Sequence, residues 1–274
     1  MKLNFGKRIE NILEKPILTN TIVLGVVFVL VVTVSLPFYL SEDRNFLIGI
    51  LQEAHGMIFD IAIIGILIYW LNDRGRTRQQ IRSYKDEIDD FRMWESEEAA
   101  FRTVGNIKRL NRSKIYAINL VNCYLSKTNL TEVCLKGSNI NSANISSAVL
   151  AGADFRDTRL NQTNFENSNL NNAIFEGAFA SGANFKDSYL IKAYFRNSFL
   201  IKANFENAYL MEADLRNCHL TGAEFKDANL YKVDFRGAIG LTIEQLSQAK
   251  SLYLAKFDTE IQEKVLSLIP ELVG

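Results

Sequence analysis

The chain has 274 residues, and its 31 Lys and Arg side chains are balanced by 31 Asp and Glu side chains, so the formal net charge is zero. This balance excludes the basic surface that nucleic-acid binding by the whole chain requires, and we expect no nucleic-acid partner. Three cysteines without a Cys-x-x-Cys pair and only two histidines predict neither a disulfide framework nor a zinc site. The sequence has no glycine-rich phosphate loop or nucleophile–base pair, so we expect no cofactor and no enzymatic activity.

The first element is a run of 23 residues without a charge, residues 18–40, which follows residues 1–17. At about 1.5 Å per residue, a helix of this length covers the hydrocarbon core of a bilayer, about 30 Å thick. The alternative is a secretory signal peptide, whose apolar region is usually only about 7–15 residues long and ends in small residues. The run is longer than that and ends in Pro-Phe-Tyr-Leu, so we predict a first transmembrane helix at 18–40.

A second apolar run, interrupted by Asp60, predicts another transmembrane helix at residues 54–72, and residues 41–53 then form a short external loop. Basic residues should remain on the cytoplasmic side of a membrane. We therefore predict a multi-pass protein of the plasma (inner) membrane with both termini in the cytoplasm. The basic residues that flank the two spans are Lys2, Lys7, Arg8 and Lys15 before the first, and Arg74, Arg76, Arg78 and Arg82 after the second.

Three ionisable residues, Glu53, His55 and Asp60, lie at the outer end of the second span. Ionisable groups inside a membrane are costly and usually functional, which would indicate a proton or ion pathway built by several copies. The simpler interpretation is that water and lipid headgroups solvate all three.

Residues 73–105 are predicted to form a helical stalk. Ile81, Tyr84, Ile88 and Phe91 recur at spacings of three and four, which places them on one side of a helix. This apolar stripe either packs against the next domain or joins two copies.

The centre of the chain has a period of five. From Leu110 to Phe235, every fifth residue is Leu, Ile or Phe at 25 of 26 positions, with Ala180 as the exception. The position two residues before each large one is occupied by a small residue, Ala, Ser, Thr or Cys, at 23 of the 26 positions from Ser113 to Ala238. A fixed period of this kind is the signature of a repeat architecture, and five fits neither a helix nor a strand. Each pentapeptide must therefore turn a corner and send one large and one small side chain inward.

Segments such as 153–157 (Ala-Asp-Phe-Arg-Asp) and 203–207 (Ala-Asn-Phe-Glu-Asn) resemble the A(D/N)Lxx motif of the pentapeptide-repeat family. The resemblance implies an all-β solenoid over residues 106–238, a right-handed quadrilateral β-helix with four pentapeptides per coil. Residues twenty apart should then stack, which we expect for Phe165, Phe185, Phe205 and Phe225 in one column, and for Phe155, Phe175 and Phe195 in the opposite one. Such a tube is filled by its own side chains and binds through its outside.

The end of the tube needs a cover, because a bare terminal coil is an open β edge. Gly240 breaks the repeat, and Thr242 with Gln245 predicts a capping box that opens a short helix. A second helix should run over residues 258–268, before Pro270. Residues 239–274 are therefore predicted to be a C-terminal helical cap.

Two opposite sides of the tube carry outward apolar residues and are candidate contact surfaces. Alternatively, these side chains only stabilise the stack of coils. The first side has Tyr189, Ile191, Tyr209, Met211 and Tyr231, and the second has Phe179, Phe199 and Ile201.

The sequence favours a membrane-tethered, non-catalytic interaction or scaffolding module whose partners are the lipid bilayer and either a protein of unknown identity or a second copy of the chain. An accessory subunit of a transport or channel assembly is the main alternative. Some pentapeptide-repeat proteins mimic DNA and protect a topoisomerase, but this implies strong acidity. Residues 120–238 have 12 acidic and 12 basic side chains, so DNA mimicry is disfavoured.

Overall fold

The computed structural model describes residues 45–273, together with Gly25, Val29, Val32, Thr33 and Leu36. Except for those five positions, the predicted first span, residues 18–40, lies outside the described residues. The described helices are α1 (Asn45–Asp90), α2 (Glu97–Arg112), α3 (Ile243–Leu246) and α4 (Thr259–Leu268), followed by a 3-10 turn at Pro270–Leu272. The chain divides into two compact units, Met1–Gln80 and Ile81–Gly274.

Helix α1 is one helix of 46 residues where the sequence predicted a loop, a second span and the start of a stalk. Residues 45–53 of the predicted external loop, 41–53, are therefore helical, and their location outside the membrane stays a prediction. The chain has no proline between Pro37 and Pro270, and an isolated glycine such as Gly49 or Gly56 weakens a helix without ending it. Nothing in this stretch stops the helix.

The stalk is not one helix to residue 105. Helix α1 ends at Asp90, residues 91–96 form a turn in which Met93 has φ 65°, and α2 begins after Ser96. The Ser96 hydroxyl accepts a hydrogen bond from the amide of Ala99 (3.1 Å), and Glu97 and Glu98 occupy the first turn, where the helix dipole favours acidic side chains. These residues fix the start of α2.

Helix α2 also corrects the predicted start of the tube at residue 106, because it continues to Arg112. Its buried side includes Val104, Ile107 and Leu110, so Leu110 reaches the core from a helix and not from a coil. Ile81, Tyr84 and Ile88 of α1 pack against the same core. Of the two interpretations of this apolar stripe, the structure therefore shows packing against the next domain.

The tube consists of stacked coils of twenty residues. From Asn119↔Asn139 to His219↔Ile239, its parallel bridges join residues twenty apart. For example, the amide of Phe165 donates to the carbonyl of Asn184 (2.7 Å), and the amide of Asn184 donates to the carbonyl of Thr163 (2.9 Å). The predicted solenoid with four pentapeptides per coil is confirmed.

The core of the tube is made by the fifth residues, which are 0–1% exposed from Leu120 to Phe235. Their rings stack as predicted: the Phe165 and Phe185 centroids lie 5.2 Å apart, and those of Phe185 and Phe205 lie 5.0 Å apart, with the planes within 4° in both pairs. The small inward residues tolerate hydroxyls because these donate to backbone carbonyls, as Thr163 does to Ile140 (2.8 Å).

Every coil turns its corners with left-handed residues. Each fifth residue from Asn122 to Gly237 has a φ between 55° and 73°. Glycine, Asn and Asp tolerate this conformation best, and they occupy most of these positions.

The C-terminal segment contains the predicted capping box: the Thr242 hydroxyl accepts from the amide of Gln245 (3.3 Å), and the Gln245 side chain accepts from the amide of Thr242 (2.8 Å). Between α3 and α4 the chain adds a part coil that the sequence did not predict. Its bridges, Asn229↔Ser251 and Asp234↔Lys256, join residues 22 apart.

Candidate interaction surfaces

The four sides of the tube differ in chemistry, because outward residues also repeat every twenty positions. We call them the tyrosine face (Tyr189, Ile191, Tyr209, Met211, Tyr231 and Tyr253), the phenylalanine face (Phe179, Phe199, Ile201, His219 and Ile239), the arginine face (Asp154, Arg156, Ile174, Glu176, Tyr194, Arg196, Asp214, Arg216, Asp234 and Arg236) and the lysine–glutamate face (Glu166, Lys186, Glu206 and Lys226).

The tyrosine face brings its five predicted residues together in two neighbouring columns. Tyr189 and Tyr209 form the first, with 47% and 40% of their surface exposed and their rings stacked at 5.0 Å and 6°. Ile191, Met211 and Tyr231 form the second and are half-buried.

The second column has a further member that the sequence analysis missed. The ring of Tyr253 lies 5.9 Å from that of Tyr231. Tyr253 follows Tyr231 by 22 residues, so the twenty-residue spacing of the columns does not predict its position.

The phenylalanine face is a shorter apolar strip on the opposite side. Phe179 is 44% exposed and stacks on Phe199 with centroids 5.1 Å apart and planes within 1°. His219 continues this stack, 4.7 Å from Phe199, and is followed by the exposed Ile239. Phe179, Phe199 and Ile201 were predicted to lie here, whereas His219 and Ile239 were not, although they keep the twenty-residue spacing.

The arginine face is held by carboxylate–guanidinium pairs within single pentapeptides. Arg236 donates to both carboxylate oxygens of Asp234 (2.9 and 2.6 Å), and Arg156 does the same to Asp154. The hydrogen bond from Arg236 holds the pKa of Asp234 below its ordinary value. Arg196 has no such partner in its own pentapeptide and donates to Asp214 of the next coil (3.0 Å).

A shallow groove of about 310 Å³ lies on the arginine face between Arg156 and Arg196, lined by Ile174, Glu176 and Tyr194 among others. On the lysine–glutamate face, Lys186 pairs with Glu206 (3.1 Å).

The candidate ionisable residues lie on α1. Glu53 and Asp60 are exposed and about two turns apart, hence on one side of the helix, whereas His55 is half-buried and points to the other side. In the part of the chain that the structure describes, no group of His, Cys, Asp and Glu side chains could hold a metal ion.

Within residues 45–273, one helical stretch, His55–Asp90, is long and apolar enough to cross a membrane. From Met57 to Leu71 the apolar side chains that the structure describes are exposed or half-buried, as for Met57 (63%) and Ile61 (66%), whereas Ile88 near the end of the stretch is buried.

A tube of twenty-residue coils with a filled interior defines a repeat protein of the β-solenoid class. The family model "Pentapeptide repeats" matches the chain in eight copies over residues 109–146, 148–187, 188–223 and 208–239. The repeat segment of this chain therefore belongs to the pentapeptide-repeat family, whose members are generally non-catalytic structural and interaction proteins.

Solved structures of the same kind match about half of the chain. QnrB1, a plasmid-mediated fluoroquinolone resistance protein, is 18% identical over 54% of this chain and 76% of its own, with a TM-score of 0.48. Rfr23 from the cyanobacterium Cyanothece 51142 is 22% identical over 56% and 98%, with a TM-score of 0.30. HetL from Nostoc sp. strain PCC 7120, involved in heterocyst differentiation regulation, is 22% identical over 55% and 78%, with a TM-score of 0.23. No curated protein matches the chain in sequence.

Proposed function

We propose that the chain is a membrane-anchored interaction module in which the tyrosine face binds a partner protein. The observation that carries the proposal is the exposed, stacked pair Tyr189 and Tyr209 beside the apolar column of Ile191, Met211 and Tyr231. Tyrosine is enriched among the residues that dominate binding energy at protein interfaces.

Rigidity strengthens this argument. The backbone of Tyr189 is bonded to the preceding coil: its amide donates to the carbonyl of Ser168 (2.9 Å), and its carbonyl accepts from the amide of Leu170 (2.7 Å). A ring that is already ordered loses little conformational entropy when a partner covers it. The interior of the tube is filled, so the outside is the surface available for binding.

The anchor is the apolar part of α1, and the proposal includes the hairpin with residues 18–40 and both ends in the cytoplasm. The basic residues that precede residue 18 and follow residue 72 support this orientation. Washing membranes with alkaline carbonate tests it: an anchored chain stays in the pellet, and release into the supernatant contradicts the anchor.

The binding test uses the full-length chain as bait in crosslinked native membranes, compared with the triple variant Y189S/Y209S/Y231S. The matched control is F179S/F199S on the opposite side, which removes a similar exposed stack. Loss of the same captured protein with the tyrosine variant alone supports the proposal. Unchanged capture with that variant contradicts it.

A second candidate is an accessory role in a transport or channel assembly, favoured by the exposed Asp60 between Phe59 and Ile61 on the apolar helix. Conductance in reconstituted vesicles that Asp60→Asn abolishes would support this role, and vesicles without conductance would contradict it. DNA mimicry has no comparable support, because the outward charges of the tube cancel.

A further inference from the structure

The apolar stretch of α1 ends in a short segment of aromatic and basic residues. Tyr69 and Trp70 close the apolar stretch, and the Arg74 guanidinium lies over the Trp70 ring, 4.0 Å from its centroid. Trp and Tyr at the end of an apolar helix are typical of the lipid headgroup level, where one side of the ring is apolar and the other is wet.

Three arginines follow Tyr69 and Trp70 in the sequence, Arg74, Arg76 and Arg78, and all three are exposed. Asp73 is the only acidic residue between Asp60 and Asp86 in the sequence, so the segment carries a net positive charge. Within the described part of the chain, neither Arg76 nor Arg78 forms an ion pair, whereas Arg82 further along pairs with Asp86 (3.9 Å).

The arrangement of these charges distinguishes a lipid surface from a protein groove. At about 100° per residue, Arg74 and Arg78 lie on one side of the helix and Arg76 on the opposite side. A protein partner would meet only one side, whereas headgroups surround a helix that emerges from a bilayer. The charges therefore fit a layer of anions around the helix.

We propose that Arg74, Arg76 and Arg78 bind the phosphodiester groups of anionic phospholipids around α1. The inference rests on the proposed membrane anchor and goes beyond it, because an anchor by itself needs no particular headgroup. A guanidinium donates two parallel hydrogen bonds to phosphate oxygens, and basic residues beside a membrane gain affinity for anionic lipid, on the order of fivefold each.

The test measures phospholipid retained by the full-length chain. The protein is purified in neutral detergent, mixed with phosphatidylglycerol or phosphatidylcholine, washed, and analysed by native mass spectrometry. The variant is R76Q/R78Q, which keeps the Arg74–Trp70 contact. The control is R112Q/R159Q, two exposed arginines of the second unit without an ion pair in the described residues.

The wild type and the control should retain several-fold more phosphatidylglycerol than phosphatidylcholine, and R76Q/R78Q should lose this preference. Equal retention of both lipids by the wild type, or an intact preference in R76Q/R78Q, overturns the inference. Displacement of the lipid by millimolar glycerol phosphate also overturns it, because the site would then bind a free phosphate. A chain that carbonate releases from membranes refutes the anchor itself, whereas an anchored chain without lipid preference refutes only this inference.

Discussion

The rings of Phe235 and Phe257 stack with centroids 5.4 Å apart and planes within 2°, although 22 residues and not twenty separate them. The two additional residues are taken up around the short helix α3, after which the chain returns to the column. Phe257 thereby stacks on the last phenylalanine of the tube, and Leu252, Val265 and Ile269 of the C-terminal segment are buried in the same core.

Replacement of Phe257 by Ala should loosen the final coil without unfolding the tube. Its buried ring is worth about 3 kcal/mol, and in a repeat protein the loss stays near the altered repeat. Hydrogen exchange should accelerate at the amides of Leu230 and Phe235, which donate to Ser251 (3.0 Å) and Lys256 (2.8 Å). The control Leu254→Ala, at a half-exposed side chain, should leave both protected. Acceleration spread over the whole tube would contradict a local role.

Replacement of Phe185 by Ala should destabilise the chain by about 3–5 kcal/mol, because a ring stacked on both sides is removed from a filled interior. Phe179→Ala is the matched control: its ring is stacked with similar geometry but is 44% exposed, so the cost should be at most about 1 kcal/mol. Denaturant midpoints of the two variants measure the difference. Equal costs would mean that stacking, and not burial, stabilises the columns.

At Gly222, whose φ is 68°, the type of side chain should decide stability. Gly222→Val should cost about 1–2 kcal/mol, because a β-branched residue is strained in the left-handed region. Gly222→Asn should change stability by less than about 0.5 kcal/mol, since Asn tolerates this region and occupies the corresponding place at Asn197 and Asn217. Thermal unfolding of both variants separates backbone strain from crowding, and equal losses would contradict the strain argument.

The pair of Asp234 and Arg236 should stabilise the chain at neutral pH and lose its effect in acid. The folded state lowers the pKa of Asp234 below the ordinary 3.8, chiefly through its hydrogen bond to Arg236. The stabilisation is therefore complete above about pH 5 and is lost as the pH falls below 3.8 through the lowered pKa.

The melting temperature of the wild type should therefore exceed that of R236Q at pH 7, and the gap should shrink below pH 4. The variant R159Q, at an exposed arginine without an ion pair in the described residues, should show no such pH-dependent gap. A gap for R236Q that stays constant with pH would show that the aspartate does not carry the effect.

The three thiols should differ sharply in reactivity. Burial raises the pKa of Cys123 and Cys218 to about 11, while Cys134 is half-buried on the outside of the tube. A thiol reagent at pH 8 should therefore modify Cys134 alone in the folded chain and all three after unfolding. Rapid loss of more than one thiol from the folded protein would indicate that the coils open.

The sequence predicts the tube well and its two ends poorly, for a physical reason. A filled interior with one large and one small residue per corner requires the same volumes at every fifth position, so Phe165 and Phe185 could be paired from spacing alone. At the N-terminal end, Ile107 and Leu110 belong to a helical pattern that merges with the five-residue series, which conceals where α2 stops. At the C-terminal end, the two additional residues shift Tyr253 and Phe257 out of register.

The candidate surfaces could be located from the sequence because outward columns inherit the same period, as Tyr189 and Tyr209 show. Their extent could be predicted only in part: His219 and Ile239 keep the twenty-residue spacing, whereas Tyr253 lies 22 residues after Tyr231 and is out of register.

The spacing of the bridges constrains how a tube of this kind can change over evolutionary time. Gain or loss of twenty residues would add or remove one whole coil and leave each column of outward side chains on its own face of the tube. Gain or loss of only five residues would rotate all following residues by a quarter turn about the tube axis. If this happened between Tyr189 and Tyr209, Tyr209 would lie on a different face from Tyr189. The number of pentapeptides therefore determines on which side of the tube each candidate contact surface lies.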